Sequence, residues 1–128
     1  MASRVEAPTC PAGSDPGAAL VALRIKYRDA RFVVTLGDKG AISSGPGGAA
    51  PVSVPAFRVD AVDTTAAGDT FTGYYLAAIS RGASEEDALR RAAAAAAIAV
   101  TRPGAAPSVP DKKEVDSFLA TGELPKAK

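Results

Sequence analysis

The sequence predicts an α/β fold, a sheet with helices packed on it, and three observations carry that expectation. The run RFVVTL, Arg31 to Leu36, is β-branched and continuous, as suits a strand buried on both faces of a mainly parallel sheet. Two short apolar runs, Ala41 to Ser44 and Val52 to Val54, flank the turn-forming GPGG at Gly45 to Gly48. Beyond them, two long segments have helical periodicity or helix-start chemistry.

In chain order, residues 1–16 contain Pro8, Pro11, Gly13 and Pro16 without periodicity and are expected to be a flexible leader. From Ala18 to Tyr27, the apolar Ala19, Leu20, Leu23 and Tyr27 recur at helical spacing, with Ser14 or Asp15 before Pro16 as start signal. The strand at Arg31 to Leu36 ends at Gly37. Ala41 to Ser44 and Val52 to Val54 are expected as hairpin strands at a sheet edge, and Phe57 to Val62 as a further strand.

Phe71, Tyr74, Tyr75, Ala78 and Ile79 then form a core-facing helical stripe closed by Arg81 and Gly82. Ser84 and Asp87 resemble a capping box with aspartate in the glutamate position, and Glu85 and Glu86 suit the positive end of a helix dipole. That helix runs through Ala92 to Ala97 to about Val100. So many alanines predict close packing against the first helix or the sheet, mere compositional bias being the alternative. TRPGAAPSVP, Thr101 to Pro110, reads as an irregular loop, followed by a short helix from Asp111 to about Leu119.

At 128 residues, 47% hydrophobic and 23% charged, the chain suits one globular core. A net charge of +1 gives no reason to expect nucleic acid or an anionic membrane as partner, so any anion must be bound locally. Without histidine and with one cysteine, Cys10, histidine-based triads and the familiar zinc sets are excluded; Cys10 is expected to be a bland thiol in the leader. The first residues lack the apolar core of a secretory signal and no stretch suits a membrane span, which leads to the expectation of a cytoplasmic protein.

The chemistry concentrates in DTTAAGDTF, Asp63 to Phe71. A strand is expected to end at Asp63, small residues follow, and Asp69 stands in the first turn of an amphipathic helix. Helix-start N–H groups lack internal partners and sit at the positive end of the dipole, so they suit a phosphate, which Ala66, Ala67 and Gly68 would allow to approach closely. A carboxylate beside that anion has an obvious task in orienting and deprotonating an attacking hydroxyl. The alternative is that Asp69 merely caps the helix and Gly68 makes a turn. Likewise Gly37 and Gly40 suit either a plain β-turn or a backbone bent around a phosphate or ribose, and Thr101 to Pro110 by itself reads first as a helix end with a proline stop.

DTTAAGDTF followed by Gly73 resembles the second signature of the PfkB carbohydrate kinase family in its ribokinase form. The resemblance extends from Ala18 to Leu119 and takes in VTLGDKG, Val34 to Gly40, and AAIAVTRPGAAPSVP, Ala96 to Pro110, in the family's order. It implies a three-layer α/β/α Rossmann-like fold, of which residues 17–120 are the C-terminal nucleotide-binding and catalytic portion and 121–128 a tail. It also implies ATP- and Mg2+-dependent phosphorylation of a sugar's primary hydroxyl, ribose ahead of adenosine, fructose and 2-keto-3-deoxygluconate. By resemblance Asp69 is the base, and the N–H groups of Ala66, Ala67, Gly68 and Asp69 hold the transferring γ-phosphoryl group.

The same resemblance assigns Thr35, Leu36, Gly37, Asp38, Lys39 and Gly40 to the nucleotide site and Ala93 to the neighbourhood of the adenine. It matches Asp63, the carbonyl of Thr65, Ala99, Arg102, Gly104 and Ser108 to positions around a monovalent cation, K+. Thr72 departs from a frequent asparagine, with a slight effect expected on sugar contacts, and Ala93 from a frequent asparagine or histidine. The half of the family that carries the sugar pocket, the lid and the dimer interface finds no match in residues 1–29. A homodimer, or pairing with a separate N-terminal half, is therefore expected, with weak activity alone. A catalytically silent nucleotide-binding or subunit-pairing fragment is the alternative.

Overall fold

The computed structural model describes residues 20, 22, 23, 25–44, 51–104 and 108–125. The leader, Cys10, the expected helix start at Ser14 to Pro16, the GPGG turn and residues 105–107 and 126–128 lie outside the described residues.

Leu20, Ala22, Leu23, Ile25 and Lys26 are helical, with Leu20 fully buried. Tyr27 lies just past them and leans on Phe32, ring centroids 6.2 Å apart. Three strands follow, β1 (Phe32–Thr35), β2 (Ala41–Ser44) and β3 (Val52–Val54), with a 3-10 turn at Gly37–Lys39. Both strand pairings are antiparallel: Phe32 faces Ser44 across the first and Ala41 faces Val54 across the second.

The hairpin expected from β2 and β3 is present, whereas RFVVTL differs from its expectation. Phe32, Val33 and Val34 are only half-buried, because among the described residues β1 has a single, antiparallel neighbour and ends the sheet. Nor is Phe57 to Val62 a strand. It lies along a helix, which has no open backbone edge to pair with, and only its end is tied down: the N–H groups of Val62 and Asp63 both donate to the carbonyl of Val100, at 2.6 and 3.0 Å.

Three helices complete the fold, α1 (Ala67–Ser80), α2 (Glu85–Val100) and α3 (Lys112–Thr121). On α1, Phe71, Tyr75 and Ala78 are buried and Tyr74 and Ile79 half-buried, as the stripe requires. Gly82, at φ 85°, ends it: Ala83 N–H reaches the carbonyl of Ala78 and Gly82 N–H that of Ile79, two carbonyls in the last turn that also lie against Arg81 N–H.

On α2 the alanines are structural, which rules out mere compositional bias. Ala92, Ala94 and Ala95 are fully buried, so α2 presents core on nearly every side, touching α1, β2, β3 and α3. Sheet residues Ala41 and Val54 join Phe71, Tyr75, Leu89 and Ala92 in one cluster, while Ile98, Val115 and Phe118 form a second on the far side of α2. Burying side chains the size of Leu89 or Ile98 contributes about 1.5–3 kcal/mol each.

Glu85 does more than meet a helix dipole. Its carboxylate accepts hydrogen bonds from Ser43 Oγ at 2.9 Å and the Tyr75 hydroxyl at 2.8 Å and pairs with Arg31, joining sheet, α1 and α2. Burial raises the Tyr75 hydroxyl above the ordinary tyrosine range, Arg31 opposing that shift. No helix among the described residues is long and apolar enough to cross a membrane.

Candidate active site

The site is assembled where the segment after β3 turns into α1. Asp63 organises the turn: one carboxylate oxygen accepts from the Thr65 N–H, at 2.9 Å, and from the Thr65 hydroxyl, and the other accepts from Gly104 N–H at 3.0 Å. The Thr65 hydroxyl, then the Thr65 and Gly104 amides, hold this carboxyl below the ordinary aspartate range. The loop before α1 is thereby fastened to the turn after α2.

Ala67 N–H closes a turn on Thr64, and the first helical bond runs from Thr70 N–H to the carbonyl of Ala66 at 2.9 Å. Ala66 is the N-cap, buried, with φ −96° and ψ 2° and no side-chain capping bond. Asp69 is therefore not a cap. It sits two residues inside the helix, exposed, and among the described residues its side chain makes no hydrogen bond. The N–H groups of Gly68 and Asp69 precede the first i→i−4 bond and have no intrahelical partner. A Cβ added to Gly68 would meet nothing within 4 Å, so the glycine leaves open space at the helix start.

That space belongs to a cavity of about 370 Å3, of the size small-molecule sites occupy. Thr35, Gly37 and Gly40 form one wall, Ala67, Gly68 and Phe71 another, and Ala93, Ala96 and Ala97 of α2 a third. Gly40 is indispensable there: its φ is 101°, and a Cβ would lie 2.0 Å from the carbonyl oxygen of Val54. Of the expected nucleotide residues, Thr35, Gly37, Gly40, Gly68 and Ala93 converge on this cavity. Leu36, Lys39 and Asp69 do not line it, and the side chain of Asp38 lies outside the described residues. Asp69 instead lines a second cleft of about 340 Å3 with Thr70, Gly73, Arg91 and Lys112. One helical step turns the chain by about 100°, which puts Gly68 and Asp69 on different sides of the same helix start.

Sequence reading missed Phe57, Val59 and Ala61, which also line the cavity. Their alternate spacing was the signal, and it gave the right face without a strand. Thr72 turns its hydroxyl back on the carbonyl of Gly68 at 3.0 Å, within its own helix.

The expected cation positions come together in part. Asp63, Thr65 and Gly104 are directly bonded, and Arg102 N–H reaches the carbonyl of Ala99 at 3.1 Å. The Arg102 guanidinium, buried and paired with Glu114 at 2.9 Å, is itself a cation, so only the main chain could serve at that position. Ser108 is buried. The groups bonded to the Asp63 carboxylate are two amides and a hydroxyl, all donors, so further oxygen ligands for a hard cation would have to come from main-chain carbonyls. No group of three or more acidic, histidine or cysteine side chains placed to hold a metal ion occurs among the described residues.

Residues 9–112 match the pfkB family carbohydrate kinase pattern. The chain is 44% identical over 87 residues to the ribokinase of Haemophilus influenzae, 68% of this chain and 28% of that one. It superposes on Arabidopsis thaliana ribokinase complexed with ribose and ATP with a TM-score of 0.66 and 42% identity, covering 70% of this chain and 28% of that one. An Escherichia coli protein described as a ribokinase II, in complex with ATP and Mg2+, gives a TM-score of 0.74 and 28% identity over 84% of this chain and 34% of that one. The chain thus spans little more than a quarter of the length of the Haemophilus relative.

Proposed function

The chain belongs to the pfkB family of carbohydrate kinases, and on that premise we propose that residues 17–120 form the nucleotide-binding and phosphoryl-transfer portion of an ATP-dependent sugar kinase of the ribokinase type. The observation that carries this reading is the convergence of Thr35, Gly37, Gly40, Gly68 and Ala93, from three separate stretches of sequence, on one cavity at the uncapped start of α1.

The nucleotide lies in that cavity with its phosphates toward Gly68. The free N–H groups of Gly68 and Asp69 meet the charge that develops on the transferring γ-phosphoryl group, with Ala66 N–H beside them and Ala67 N–H joining only by leaving the Thr64 carbonyl. Asp69, free of capping duty and turned to the second cleft, orients the acceptor hydroxyl and takes its proton. Mg2+ held by the phosphates neutralises their charge when bound. A monovalent cation held by Asp63 and the main chain of Thr65, Ala99, Arg102, Gly104 and Ser108 would order the turn that leads into α1. Ribose is the favoured acceptor, in keeping with the Arabidopsis relative's ribose complex.

The test combines ATP titration of this chain with complementation by a separately expressed N-terminal half of a ribokinase. Ribose-dependent ADP formation that disappears in Asp69→Asn, with ATP binding kept, is the expected result. Binding without any turnover would favour a silent nucleotide-binding or subunit-pairing fragment, and failure to bind ATP would remove the kinase reading.

A further inference from the structure

The cavity lining also bears on which nucleotides the site accepts, an inference that rests on the kinase reading above. Among the described residues that line it, only Thr35 and Thr64 carry a polar side-chain atom; the rest are glycine, alanine, valine and phenylalanine. Thr64 belongs to the phosphate end, since its carbonyl accepts the N–H of Ala67 at the entry to α1. Thr35 is left as the one polar side chain among the described residues of the remaining walls.

Much of the surrounding main chain is already engaged. Gly40 N–H bonds to the Gly37 carbonyl at 3.2 Å, the Gly40 carbonyl accepts from Leu36 N–H at 2.8 Å, and that of Val100 takes two N–H groups. Ala93, Ala96 and Ala97 stand inside α2, where backbone groups bond along the helix.

Adenine and guanine differ at the purine 6-position, a donating amino group in one and an accepting carbonyl in the other. A hydroxyl both donates and accepts, so Thr35 can meet either base. An apolar pocket discriminates weakly between ligands of similar shape, whereas strong rejection needs a buried polar group that the wrong ligand leaves unpaired. We propose that this site holds the purine by apolar contact with Phe57, Val59, Ala93 and Ala96 and one ambivalent hydroxyl, and accepts purine nucleoside triphosphates with either a 6-amino or a 6-oxo group.

Calorimetric titration of the full chain with the Mg2+ complexes of ATP, GTP and ITP tests this. Dissociation constants within about tenfold of one another are expected. Binding of all three with a wider preference for ATP would overturn the inference, assign the base edge to main-chain groups of residues 56–61, and leave the kinase reading standing. If none of the three binds, both fall together.

Discussion

The starts of α1 and α2 solve the same problem in opposite ways. At α2, Ser84 is extended, φ −66° and ψ 160°, and its Oγ accepts the N–H of Asp87 at 3.2 Å. The start of α3 repeats the device, Asp111 accepting from Glu114 N–H at 2.8 Å. At α1 the N-cap is an alanine in a non-extended conformation, and no side chain occupies the free N–H groups. Side-chain caps contribute about 0.5–2 kcal/mol each. The helix start that lines the cavity forgoes one, which leaves those donors available to an anion, as the proposed phosphate site requires.

The largest effect expected of any substitution is at Asp69, the residue that separates the two designs. Asp69→Asn should lower turnover of the complemented enzyme by about 10²–10⁴-fold while ATP affinity changes little, read by coupled assay and titration. Equal losses in binding and turnover would make Asp69 a structural element of α1. Ser84→Ala should cost about 1 kcal/mol in urea unfolding, with nucleotide affinity unchanged, because that cap serves only the fold.

Gly68→Ala should show the reverse. The new Cβ meets no protein atom and removes a flexible residue from the first turn, so stability should stay level or rise by up to about 1 kcal/mol while ATP binding weakens. A variant both more stable and equally able to bind would sever the link between the open helix start and the ligand. The smallest effect concerns Asp63. Its folded-state pKa is depressed, so its contribution to stability is present above the unfolded value and lost as the pH falls below about 4. Asp63→Asn should therefore be less stable than the parent at neutral pH, and thermal melts should show the gap closing in acid.

Much of this was legible in the sequence wherever the signal was local. The stripe from Phe71 to Ile79, the Ser84 cap, the Gly82 stop and the hairpin of β2 and β3 each depend on residues a few positions apart, and all are present. Errors arose where neighbours in space decide. Phe57 to Val62 alternates like a strand, but a helix surface offers it no backbone edge, and RFVVTL reads as doubly covered although β1 has one strand neighbour among the described residues. The role of Glu85 was equally hidden, because its partners Ser43 and Arg31 lie more than forty residues away along the chain.

The sequence by itself determined the helices, their ends and the small-residue motif proposed to hold phosphate, since propensity, capping and small-residue spacing act over one or two turns of chain. Only the tertiary structure decided that Thr35, Gly37, Gly40, Gly68 and Ala93 share one cavity and that Asp69 lines a different cleft. Those relations depend on how the alanine face of α2 packs against α1 and the sheet, and on which side of α1 each successive residue falls.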